Sequence, residues 1–197
     1  MIWEALILAC AHPDAPPDLI AEIITVESAG DPWAVNVNGV AGQGGPAADG
    51  DSADFVAAHV EALLAERRSV DIGLMQINGQ HLEAAELSVA QAFDPCTNIA
   101  LGSKIFQRGY RPALALYGDT PLARQAALSA YNTGTFHRGF ANGYIGRYAD
   151  DSKAAPSALL SAKDDPHRSD TRIEVTFGER RSELGIADTD QRGGSGR

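Results

Sequence analysis

The chain has 197 residues, 44% hydrophobic and 21% charged, which fits a folded domain with a substantial core and excludes a wholly disordered polymer. Its formal net charge of −10 argues against nucleic acid as the partner, since phosphate recognition needs a basic surface. A glycan stays compatible, because sugars are held by hydrogen bonds and apolar ring contacts.

Residues 1–9 are mildly apolar but lack a basic start and carry Glu4, so they predict an opening helix packed on the core and show no targeting signal. No run approaches the length of a membrane span. Pro16, Pro17 and Asp18 open a second helix, and Gly30 followed by Pro32 ends it. Residues 39–50 are a loop by composition. Asp51 or Ser52 caps the next helix, where Val56, Val60, Leu63 and Leu64 fall on one face. Val35 to Val40 or Ile72 to Ile77 offers a short β-ribbon, and nothing else carries a strand signal in the first 149 residues. A helix from Asn98 to about Gly109 turns Ile99, Ile105 and Phe106 inward, and another runs from Thr120-Pro121 to Gly134. The reading is mainly α. Residues 150–197 are poor in large apolar groups and read as a low-complexity, disordered tail, in which only 172–177 alternate like a small strand or docking motif.

One carboxylate is oddly placed. Glu27 follows Ile20, Ile23 and Ile24 at helical spacing, so it continues an apolar stripe. Loss of hydration there penalises the charged form and raises the pKa, as a general acid near neutral pH requires. The alternative is a structural carboxylate paired with an arginine or capped by backbone amides. Cys10 and Cys96 each stand before or within a helix boundary; one disulfide or two small apolar residues are both compatible with that placement. The five histidines are scattered without zinc-like spacing, so no metal and no cofactor is expected.

Four islands set polar or aromatic groups beside glycines at element boundaries: Glu27-Ser28, Asp71 to Asn78 (Asp-Ile-Gly-Leu-Met-Gln-Ile-Asn), Ala130 to Gly134 (Ala-Tyr-Asn-Thr-Gly), and Gly143 to Tyr148. Singly each is weak. In this order they resemble the soluble lytic transglycosylase family, which has a lysozyme-like fold. The segment between Asn38 and Asp71, Phe93 to Ile99 and the Cys10-Ala11 start resemble its specialised branch attached to type IV secretion and conjugation machines. The resemblance covers about residues 8–148.

That resemblance implies a lysozyme-like catalytic domain over residues 1–149, with α+β content reduced to a minimal β-ribbon. It makes Glu27 the single catalytic acid and base and Ser28 a group positioning the N-acetyl substituent. Met75, Gln76 and Asn78 line the glycan cleft, Tyr131 and Asn132 flank the reacting sugar, and Tyr144 orients Glu27 with Tyr148 nearby. Asp71 helps hold the Gly-Leu-Met-Gln loop, and Cys10 and Cys96 form a disulfide. The implied activity is cleavage of the MurNAc-GlcNAc bond of peptidoglycan with formation of a 1,6-anhydro ring, opening the wall for a secretion apparatus. Its alternatives are a lysozyme-like muramidase and an inactive peptidoglycan-binding scaffold. The implied partners are glycan strands and, through the tail, secretion components. The implied location is the periplasm, although no signal peptide is visible.

Overall fold

The computed structural model describes residues 3–39, 44–45 and 53–148. The expected tail at 150–197, the motif at 172–177 and the caps at Asp51 and Ser52 lie outside the described residues. A short helix α1 (Glu4–Cys10) buries Ile7, as the apolar start predicts, and leads into α2 (Pro17–Ser28). Three strands of a small antiparallel sheet follow around α3 (Ala53–Ala65): β1 (Val35–Val37), β2 (Gly44–Gly45) and β3 (Val70–Ile72). β4 (Ile77–Asn78) completes the order β2-β1-β3-β4. The short helices α4 (Gln80–Ala84) and α5 (Val89–Ala92) lead to α6 (Pro95–Tyr117) and α7 (Pro121–Thr133). After α8 (Arg138–Ala141), a 3-10 turn (Ile145–Arg147) closes the described chain.

The mainly helical expectation with a minimal ribbon is met, with two differences in detail. Both candidate ribbon segments are used, and Asn36 pairs with Asp71 while Asp71 pairs with Asn78. The loop by composition also supplies a strand, since Gly45 pairs with Val35. Strand content there comes from a partner's backbone, which composition does not register.

Helix boundaries follow local chemistry at most ends. Ser88 and Gln91 form a reciprocal capping box on α5, Asp94 accepts from the Thr97 N–H, and Thr120 accepts from the Ala123 N–H. Three boundaries differ from expectation, one of them the start of α6 at Pro95 instead of Asn98. The chain leaves α2 at Ala29, in the left-handed region with φ 54°, one residue before Gly30. Helix α6 runs eight residues past Gly109 and through Pro112. A proline inside a helix costs about 3 kcal/mol, so packing must offset it. Gly109 supplies part of that packing: a Cβ there would lie 2.9 Å from the Ala130 Cβ of α7. Tyr110 and Ala113 are buried beyond it.

Buried Asn98 on α6 holds the segment between β3 and β4. Its Oδ1 accepts from the Met75 N–H at 2.8 Å, and its Nδ2 donates to the carbonyls of Ile72 (3.0 Å) and Ala92 (2.8 Å). Gly73 sits at φ 75°, and a Cβ on it would be 2.4 Å from Asn98 Nδ2, so the loop and the amide interlock only with glycine there. Asn98 thus adds to Asp71, which accepts from Asn78 Nδ2 at 2.7 Å on the far side of the same loop. Asn98→Ala would strand one buried N–H and two carbonyls; we expect a loss of about 3 kcal/mol in urea unfolding.

Candidate active site

Helix α2 buries Ile20, Ile23 and Ile24 almost completely, and the same face carries Glu27 into the last turn. Its side chain is only 12% exposed. Tyr144 donates to Glu27 Oε1 at 2.5 Å, and the Tyr144 and Tyr148 hydroxyls lie 2.6 Å apart. With Glu27 ionised, Tyr144's single proton is committed to it, so Tyr148 donates to Tyr144. Arg147 Nη1 lies 3.9 Å from Glu27 Oε2, while its Nη2 donates to the Val26 carbonyl.

These contacts pull the Glu27 pKa in opposite directions. Burial raises it and is the largest cause; the Tyr144 hydrogen bond and Arg147 lower it, and the charge of Asp71 raises it further. The net effect is upward. Burial also lifts the phenols of Tyr131, Tyr144 and Tyr148. All three therefore stay protonated near neutral pH.

Glu27 stands where two cavities meet. One, of about 370 Å³, extends past Gln76, Asn78, Arg108 and Tyr131. The other, of about 520 Å³, extends past Ser28, Asn36 and Arg147. Glu27, Asn38, Asp71, Gln76 and Asn132 line both, so a groove passes the carboxyl on either side.

The structure brings most of the predicted residues to this groove, and several have their polar atoms already engaged. Gln76, in the left-handed region at φ 47°, donates through Nε2 to the carbonyls of Ala34 (3.1 Å) and Gly73 (3.0 Å). Those bonds restrain a conformation that a side chain rarely adopts. Tyr131 donates to the Met75 carbonyl at 2.6 Å and presents its ring to the groove. Asn132 accepts from Asn142 Nδ2 at 3.0 Å. Ser28 donates to the Ile24 carbonyl at 3.1 Å and accepts from the Gly30 N–H at 3.2 Å, so its hydroxyl proton serves the helix end. Asn78 Nδ2 donates to Asp71 and Ser69.

Met75 is the correction. Its side chain is fully buried and faces α6, where a Cβ on Gly102 would come within 2.5 Å of its sulfur. The thioether is core, and only the backbone carbonyl of Met75 serves the site, as the anchor for Tyr131. The family resemblance places Met75 in the cleft, whereas by itself a methionine in this position reads as core, and the structure buries it.

Cys10 and Cys96 are joined in a disulfide with Cα atoms 5.3 Å apart, tying the end of α1 to the start of α6. Among the described residues no group of three or more His, Cys, Asp or Glu is placed to hold a metal ion, and no helix is long and apolar enough to cross a membrane. Sequence reasoning missed three residues: Arg147 beside Glu27, Asn142 behind Asn132, and Asn98 behind the loop. Arg147 and Asn98 both stood inside segments already singled out, but their charge and amide gave no sign of their targets.

A family profile described as a transglycosylase SLT domain matches residues 5–153. The chain is 32% identical over 159 residues to "Protein virB1" of Rhizobium radiobacter, covering 81% of this chain and 64% of that protein. It is 35% identical over 136 residues to "Protein virB1" of Agrobacterium fabrum, covering 69% and 53%. It is 36% identical over 138 residues to "Type IV secretion system protein virB1" of Brucella abortus, covering 68% and 56%. The chain thus spans less than two thirds of the length of these curated relatives. No solved structure matches the chain. With the profile spanning the described core from α1 to the final 3-10 turn, the chain belongs to the transglycosylase SLT domain family.

Proposed function

We propose that this domain is a peptidoglycan lytic transglycosylase that cleaves between N-acetylmuramic acid and N-acetylglucosamine. The observation that carries the reading is the desolvated Glu27, bonded to Tyr144 at the junction of two cavities. Protonated Glu27 gives its proton to the glycosidic oxygen as the C1–O bond breaks. The sugar's 2-acetamido group steadies the positive charge at C1. The C6 hydroxyl then attacks C1, and its proton passes to the Glu27 carboxylate, restoring the acid. One ring forms, one bond breaks, and no water is consumed. Burial keeps Glu27 protonated before the step, while Tyr144 and Arg147 hold the carboxylate that follows it.

Asp71 on the groove wall supports a second reading, hydrolysis by water in place of the C6 hydroxyl, because a two-carboxylate glycosidase needs such a partner. Mass analysis of muropeptides released from purified sacculi separates the two, since the anhydro product is lighter by one water. Sacculi that are bound but never digested would support the inactive scaffold.

The name of the Brucella abortus relative, a type IV secretion system protein, and the disulfide, which suits an oxidising compartment, support a role in the periplasm, where the wall is opened for a type IV secretion apparatus. The division into a catalytic domain over 1–149 and a separate segment over 150–197 that recruits secretion components is part of this proposal. Truncation after residue 153 should leave sacculus digestion within about twofold of the full chain and reduce conjugative transfer. Loss of digestion would instead make the segment part of the enzyme.

A further inference from the structure

Helix α1 buries Ile7, but Trp3 and Leu8 on the same helix border a gap between α1 and α2. On the facing helix Ala21, Thr25 and Ala29 recur at four-residue spacing, and none is long enough to close it. The gap is an apolar cavity of about 530 Å³, well within the roughly 300–1,000 Å³ of sites that take a ligand several side chains in size. Leu8 at its edge is 70% exposed, the most exposed large apolar side chain among the described residues. A lone surface leucine needs no partner, whereas one bordering an apolar cavity marks a place where another group packs.

The chain carries a segment of matching pattern. Ile173, Val175 and Phe177 are the only three large apolar residues at alternate positions after Tyr148, and alternation puts them on one side of an extended segment. Four steps of about 3.3 Å make that row about 13 Å long. The seven residues of α1 run for roughly 10 Å, so the row matches the groove in length. The path also fits. Arg147 Nη2 donates to the Val26 carbonyl, and Thr25 and Ala29 line both the apolar cavity and the cavity that holds Arg147. The last described turn is therefore fastened to the helix that walls the groove. From there the 23 residues 149–171 reach up to about 80 Å when extended, enough to cross a domain of this size.

We propose that residues 172–177 dock on the domain they follow, with Ile173, Val175 and Phe177 seated between α1 and α2. Tethering favours this occupant over a free partner of the same pattern, because a linked segment meets its groove at an effective concentration of about millimolar order. Docking covers Leu8 and packs on α1, which is too short to persist alone. While docked, these six residues are withheld from any other partner. The contact is independent of the chemistry at Glu27.

The test uses the full chain with two variants of the segment. Val175→Asp puts a polar group on the packed side, and Thr176→Asp puts the same group on the opposite side. The Trp3 indole N–H resonance, assigned by its loss in Trp3→Phe, and hydrogen exchange of the α1 amides are followed by NMR at two protein concentrations. For Val175→Asp we expect the Trp3 resonance to move and the α1 amides to exchange roughly tenfold faster, while Thr176→Asp matches the wild type. Leu8→Asp is the reciprocal variant: tryptic cleavage after Arg172 should speed up roughly tenfold as the segment is released. If Leu8→Asp does not fold, Ala21→Leu, which fills the same space, replaces it in the cleavage assay. An unmoved Trp3 resonance in Val175→Asp, equal changes in both segment variants, or unchanged cleavage in the groove variant overturns the proposal. A difference seen only at the higher concentration assigns the groove to a second copy and overturns it as well.

Discussion

Glu27→Gln should lower release of muropeptides from sacculi by about 10³-fold while the protein still folds and still binds the wall. Glutamine keeps the shape and the acceptor oxygen for Tyr144 but has no proton to give. The same variant should unfold at or above the wild-type temperature at pH 7. The sign follows from the raised pKa of Glu27, which burial causes. A folded state that holds its carboxyl proton more tightly than the unfolded chain is fully stable below the unfolded value and loses stability as pH climbs through the folded one. Glutamine escapes that loss, so the two melting temperatures should converge in acid and separate toward neutrality. A variant that loses both activity and stability at pH 7 would indicate a structural carboxylate, and the proposed chemistry would fail. Full activity in the variant would remove Glu27 from the reaction altogether.

The second large effect is on stability. The Cys10–Cys96 bond spans 86 residues of chain, and its loop-closure contribution is about 4 to 5 kcal/mol. That is a large share of the roughly 5 to 15 kcal/mol typical of a folded domain. Helix α1 has seven residues, too few to persist alone, so it depends on this tether and on buried Ile7. Cys96→Ser should therefore shift chemical unfolding by nearly that amount, measured as the loss in free energy from urea curves. Exposed Cys96 should also let a reductant reproduce the effect in the wild type. The groove is lined by α2, the sheet, α6 and α7 but by no residue of α1, so digestion below the lowered melting temperature should persist within a few fold. A matching collapse of activity in the cold would mean that α1 shapes the groove.

Much of the helical frame was legible locally. Ile20, Ile23 and Ile24 announced the buried face of α2, and with it the desolvation of Glu27, because a helical period of 3.6 commits residue 27 to the same side. Thr120 with Pro121 marked the start of α7, and Gly134 its end, because caps act through neighbouring backbone groups. The ordered islands pointed to the family over the region that the profile matches. Elements whose reasons lie elsewhere were misplaced. Helix α6 outran Gly109 because α7 packs on it, and β2 formed in a glycine-rich loop because β1 offered its edge.

Site roles divided in the same way. Residue identity and helical phase were enough to single out Glu27, because desolvation depends on which face of α2 is buried. Only the tertiary structure decided that Met75 turns inward, that Arg147 reaches back to Glu27 across 120 residues, and that Asn98 joins Asp71 in holding the loop. The physical reason is that a side chain's charge and hydrogen-bonding capacity are local, whereas the partner that spends them is set by strand register and helix packing. Asp71 shows it most directly: its carboxyl group is written in the chain, and the three amides that bond to it meet only when β1, β3 and β4 pair.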